Sequence, residues 1–182
     1  MLRVAVSGAI ISASFVAFQS SASAAEFTGC RYAGNANSLK WANLTTRYEY
    51  SNPAQVAIAA WNSASTHFNF TNVNSGANLN VADQNFGQYV EGAAIDGLTS
   101  WRCSSGYYTE TVTSSWNRYY TDGYPGIERK SVIVHEIGHA LGLGDIEGSA
   151  CVIMNGATPT RYGACGLSEP QPTDIARANS LY

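Results

Sequence analysis

The stretch SVIVHEIGHALGLGDIEGSACVIMN, residues 131–155, decides the reading of this chain. His135 and His139 are four apart, so on a helix of 3.6 residues per turn they project from one face, one turn apart. Two imidazoles so placed can hold one metal ion together. Glu136 lies beside them, near enough to take a proton from a water at the metal without being a ligand. Zinc suits such nitrogen ligands, and a catalytic site adds a third protein ligand and an open position. Gly142 falls where the helix must stop and turn, and glycine accepts the left-handed backbone of such a stop. Asp145, three residues on, can swing back as the third ligand. The expected metal ligands are therefore His135, His139 and Asp145, with Glu136 as the catalytic residue. The plain alternative is a helix whose histidines bind nothing, because a bare HExxH also arises by chance. Against it stand the offsets of Gly142 and Asp145. Ile133, Ile137, Ala140 and Leu141, away from the metal face, also give the helix an apolar side to bury.

Working outward, the metal helix is expected from about Ile127 to Leu143, opened by the breaker Asp122-Gly123-Tyr124-Pro125-Gly126. Upstream, residues 41–50 (WANLTTRYEY) read as a first strand ended by Ser51-Asn52-Pro53. Asn52 is then the cap and Pro53 the first turn of a helix over 53–65. Ala57, Ala60, Trp61 and Ala64 supply its apolar face. HFNFTNV (67–73) and NLNVAD (78–83) read as strands, and Leu98 to Tyr120 as further β-structure. TDIARANSLY forms a short last helix with Thr173 as its cap. No internal repeat or linker divides the chain. The order of elements is that of a single α/β (α+β) domain.

At the other end, Met1-Leu2-Arg3, an apolar run to Phe18 and the small residues SASAA have the layout of a secretory signal peptide. Cleavage is expected after Ala24 or Ala25, leaving residues 26–182 as the catalytic domain. An uncleaved anchor is the alternative, but the run is short and broken by serine for a span of about 20 residues. The whole chain has 182 residues, 10 basic and 13 acidic side chains and a formal charge of −3. Charged residues make up 13%, against roughly 25% in an average soluble domain, while 45% are apolar. That balance excludes a disordered chain and suits an exported one. Scattered Lys and Arg give no footprint for nucleic acid or an anionic membrane.

Export makes Cys30, Cys103, Cys151 and Cys165 a pair of disulfides. Cys151 and Cys165 enclose a short Gly- and Pro-containing loop and are the natural local pair, which leaves Cys30 with Cys103. No CxxC spacing supports a four-thiolate metal site.

HEIGHALGLGD is similar to the HExxHxxGxxH/D signature of the metzincin zinc metallopeptidases, and its final aspartate resembles the snapalysin-type secreted proteases. Matrixins carry histidine there. Both groups have a methionine turn beneath the metal, for which CVIMN offers Met154. AAWNSAS followed by FNFTNV, and the closing PTDIARANSLY, look like matrixin segments. The resemblance implies a five-stranded twisted mixed sheet, an active-site helix beneath it and a substrate cleft along an edge strand. It also implies one catalytic zinc, a protein or peptide substrate and a secreted, monomeric endopeptidase with Glu136 as general base; a structural calcium is left open. Two features depart from the pattern. Asn155 and Gly156 follow Met154, so no tyrosine stands two positions on as in astacin-like members. Only a short segment separates the signal from the first strand, so latency through a removable prodomain is not expected.

Other residues carry weaker readings. His67 is read as a surface residue, and Glu169, among prolines, is set aside as a third ligand. A Cys30 thiolate capping the metal would strand Cys103. Tyr162 could line a specificity pocket or face solvent. Trp101, Tyr107, Tyr108, Trp116, Tyr119, Tyr120 and Tyr124 form an aromatic belt, read first as sheet packing. Its functional alternative is a secreted binding module for carbohydrate or protein, with a structural or degenerate zinc site.

Overall fold

A computed structural model describes residues 27–65 and 67–182. The expected signal peptide, residues 1–25, lies outside the described residues. A five-stranded mixed sheet runs in the order β2-β1-β3-β7-β4. Its members are β1 (Leu39–Asn43), β2 (Phe70–Asn72), β3 (Leu79–Gln84), β4 (Gly97–Ser100) and β7 (Val112–Asn117). The pairings are parallel except for β4, which runs antiparallel to β7 at one edge. A small hairpin, β5 (Cys103–Ser104) with β6 (Tyr107–Tyr108), stands apart from the sheet.

Helices α1 (Tyr48–Ala64) and α3 (Gly126–Ala140) pack on each other and on the sheet. The alanines of α1 allow the close approach, and buried Trp61 fills the seam and donates its indole N–H to Val134 O at 2.9 Å. Leu79, Val81, Val112 and Trp116 meet Ile133, Ile137 and Leu141 in one core. Burying side chains of this size stabilises by about 1.5–3 kcal/mol each. No helix among the described residues is long and apolar enough to cross a membrane. The bridges Cys30–Cys103 and Cys151–Cys165 both form, as the spacing suggested.

Several boundaries differ from expectation. The first strand stops at Asn43, where the side-chain oxygen accepts the Thr45 N–H at 3.1 Å and turns the chain. Helix α1 then starts at Tyr48, so Pro53 lies inside it and Asn52 is no cap. Tertiary contacts account for the early start: Tyr50 is buried against Trp116, and its hydroxyl donates to Asp122 Oδ1 at 2.7 Å. Strand β2 is shorter than 67–73. The Asn62 side chain binds both the N–H and the carbonyl of Phe70, each at 2.8 Å, and covers that edge. Arg118–Thr121 is a turn of helix (α2) rather than β-structure, capped by Asn117, whose side chain accepts the Tyr119 N–H at 3.2 Å. The last helix, α4 (Pro172–Asn179), is capped by Gln171 and not Thr173. Pro172 takes its first position, and Asp174 reaches back to the Gln171 N–H in a capping box.

Candidate metal centre

Helix α3 carries His135, Glu136 and His139 and ends at Ala140, short of the expected Leu143, with Gly142 making the stop. Leu143 N–H bonds Gly138 O at 3.0 Å and Gly142 N–H bonds His139 O at 2.9 Å, the paired bonds of a Schellman stop. Gly142 has φ +95°, and a Cβ there would lie 2.7 Å from the Cys30 carbonyl oxygen. Only glycine fits.

Both imidazoles are oriented from behind. His135 Nδ1 lies 3.0 Å from Ile153 O and His139 Nδ1 lies 2.8 Å from Leu143 O. A carbonyl only accepts, so each Nδ1 carries the proton and each Nε2 presents a lone pair. These two Nε2 atoms face each other at 3.1 Å. Asp145 Oδ1 stands 3.4 Å from one and 3.5 Å from the other, and this buried oxygen accepts no hydrogen bond. Three acceptors thus converge with no hydrogen to share, and one ligand atom from each residue lies within 4.8 Å of the others. A cation is the partner that satisfies all three. His135, His139 and Asp145 therefore fit a metal ion, and the donor set of two nitrogens and one carboxylate suits zinc. Burial, followed by the neighbouring His139, holds the His135 pKa well below its usual value and keeps it in the ligand form.

The Glu136 carboxyl shares the cleft with this triangle and lies against the sheet edge. A Cβ on Gly97 would fall 2.4 Å from Glu136 Oε1, so the glycine of β4 makes room for the carboxyl. The Thr99 hydroxyl donates to Glu136 Oε2 at 2.7 Å, while Ser114 donates to the Glu136 backbone carbonyl at 3.1 Å. Burial raises the Glu136 pKa to about 7, with His139 and the Thr99 bond pulling the other way.

Beneath the site lies Met154, fully buried, against Gly138: a Cβ there would come within 2.2 Å of its sulfur. Asp174 of α4 fixes this turn from below. Its carboxylate accepts the N–H groups of Ile153 at 2.9 Å and Met154 at 3.2 Å.

The centre opens into a cleft of about 630 Å³ bounded by β4 and by residues 156–159. Trp101, Tyr120 and Tyr124 line it, so this part of the aromatic belt serves the cleft, while Trp116 is core. Tyr124 donates to Asp96 Oδ2 at 3.3 Å within the cleft wall. Behind Thr158, buried Arg161 donates to Ser131 Oγ, Asn155 O and Thr158 Oγ1 at 3.2, 2.6 and 2.6 Å. Thr99, Asp96, Arg161 and Asp174 were not legible as site residues, since no spacing links them to the histidines, and Tyr124 was read only as part of the aromatic belt. The TDI of the last helix, an acid at N3, was the one available signal. Of the weaker candidates, His67 is exposed, Glu169 pairs with Lys130 away from the centre, and Cys30 is disulfide-bonded. Tyr162 is half-buried in the helical turn Pro159–Ala164 and does not line the cleft.

No family model matches the chain, and no curated protein matches it. Among solved structures, a crystal structure of myroilysin is similar over 86% of this chain and 87% of its own length, at 16% identity and TM-score 0.51. A second myroilysin structure aligns over 62% of this chain and 50% of its own length, at 19% identity and TM-score 0.41. At such identities the likeness concerns the fold alone: a mixed α/β architecture with a five-stranded mixed sheet.

Proposed function

We propose that this protein is a secreted zinc-dependent endopeptidase, with His135, His139 and Asp145 as zinc ligands and Glu136 as general base. One observation carries the reading. Two imidazole lone pairs and an unpartnered carboxylate oxygen converge within 4.8 Å, beside a buried carboxyl, in a cleft bounded by an edge strand. Bound there, zinc supplies Lewis-acid polarisation of a scissile carbonyl.

The chain's own groups account for the rest. Among the described residues β4 pairs only with β7, so its outer edge is free to align an extended peptide by strand addition. Glu136, with its pKa raised to about 7, can take a proton from an attacking water near neutral pH and yield it to the leaving amine. Thr99 holds that carboxyl in place during both transfers. The aromatic rings of the cleft exclude water and supply contact area for substrate side chains. Two disulfides are compatible with an exported enzyme.

The deciding experiment measures zinc content and peptide cleavage of the wild type beside Glu136→Ala. The variant is expected to bind zinc stoichiometrically and to cleave nothing. Retained turnover would remove Glu136 as the base, and a wild type without zinc would remove the reading altogether.

A further inference from the structure

Between His139 and Asp145 the chain runs through Leu141-Gly142-Leu143-Gly144, a path with two glycines and little stiffness of its own. Three consecutive carbonyls along it are nevertheless held, each from a different part of the molecule. Gly142 O accepts the Thr28 N–H at 2.8 Å. Leu143 O receives His139 Nδ1 at 2.8 Å, and Phe27 bridges the same residue in antiparallel fashion. Gly144 O accepts Arg177 Nη2 of α4 at 3.1 Å.

A second prop reaches the helix end from the β5–β6 hairpin. The Tyr108 hydroxyl donates to His139 O at 3.1 Å. The two props are one unit: Cys30 is bonded to Cys103 of the hairpin, Arg31 N–H donates to Gly106 O at 3.1 Å, and Tyr108 N–H donates to Arg31 O at 3.0 Å.

We infer that residues 27–30 and Tyr108, joined by the Cys30–Cys103 bond, form a clasp that positions the His139–Asp145 segment and thereby sets the affinity of the centre for its metal. This rests on the reading of His135, His139 and Asp145 as metal ligands. The physical reason is entropic: a ligand carried on a glycine-rich loop must be ordered when the metal binds, unless the loop is ordered beforehand. The clasp does that ordering in the folded chain. It touches neither substrate nor metal, and acts through the Gly142 and His139 carbonyls and the Leu143 backbone that orients the His139 ring. Outer partners of metal ligands typically carry about 10- to 100-fold in metal affinity.

The test uses the full exported protein with its disulfides formed. Zinc affinity is measured by competition with a chromophoric chelator, beside thermal melting of the metal-free form. Thr28→Pro removes the N–H that reaches Gly142, whereas Thr28→Ser keeps both the N–H and the hydroxyl. Tyr108→Phe removes one hydroxyl and leaves the backbone intact. Zinc binding is expected to weaken about 10- to 100-fold in Thr28→Pro and about 10-fold in Tyr108→Phe. Thr28→Ser should return wild-type affinity. Should Thr28→Pro fail to fold, Tyr108→Phe decides alone. Wild-type zinc affinity in the variants that fold, or a loss in Thr28→Ser equal to that in Thr28→Pro, overturns the clasp. A wild type that binds no zinc overturns the ligand assignment first, and the clasp with it.

Discussion

Glu136 and Asp145 flank the same pair of histidines but are held in opposite ways. Glu136 is buried in regular structure, with Gly97 making room for its carboxyl and Thr99 and Ser114 bonding it from the sheet. The Asp145 side chain is 42% exposed at the end of a loop whose shape comes from distant segments. The contrast shows two ways of building precision into one site. A residue on a helix packed under a sheet inherits its place from secondary structure. A residue on a glycine-rich loop depends on long-range hydrogen bonds, and its position is the more easily lost.

The sharpest way to break this comparison is at the Glu136 carboxyl itself. Glu136→Gln keeps the shape and the bond from Thr99 but has no basic oxygen to take a proton. Peptidase turnover should fall by about 10³-fold, with zinc content unchanged by metal analysis. On the loop side the opposite signature is expected. Asp145→Ala should lose zinc affinity by more than about 10²-fold, since it removes a proposed ligand where outer partners alone cost about 10- to 100-fold. Chelator competition distinguishes the two variants, and equal zinc binding in both would end the contrast.

Gly97→Ala probes the enclosure of Glu136 from the strand. Its methyl would meet the carboxyl at 2.4 Å and the Glu136 Cγ at 2.8 Å, so the carboxyl must move. Displacements near 1 Å cost about 10²-fold in rate, and here kcat should fall while zinc affinity holds. The mildest effect on chemistry is expected from Gly138→Ala. Its methyl would meet the sulfur of Met154 at 2.2 Å and Trp61 at 3.3 Å, so the cost is overpacking of about 1–3 kcal/mol. Denaturant midpoints should show it, with the activity per folded, zinc-loaded molecule close to wild type.

Much of the scaffold was legible from periodicity. The apolar spacing of Ala57, Ala60 and Trp61 marks a helix, and Phe70, Leu79 and Val81 lie in strands as read. Two of the misreadings share a cause. Tyr48, Tyr50, Tyr119 and Tyr120 are aromatic residues with strand propensity that sit in helices. Tyr50 is held there by its contacts to Trp116 and Asp122, and a local reading cannot see a contact 72 residues away. The same blindness hid Thr99, Asp174 and Tyr108. Each reaches the centre by one or two hydrogen bonds across the chain, and nothing near it in sequence reports the meeting.

By itself the sequence determined the pitch of the two histidines, the stop at Gly142 and the availability of Asp145, because these follow from helix geometry and the φ freedom of glycine. Cysteine spacing indicated which bridges would close. Only the tertiary structure decided that three acceptor atoms would converge with no hydrogen between them. It alone placed Glu136 under Thr99 and fastened the loop to residues 27–30 and α4. Local geometry follows from neighbours along the chain, whereas convergence depends on contacts that exist only once the core has closed.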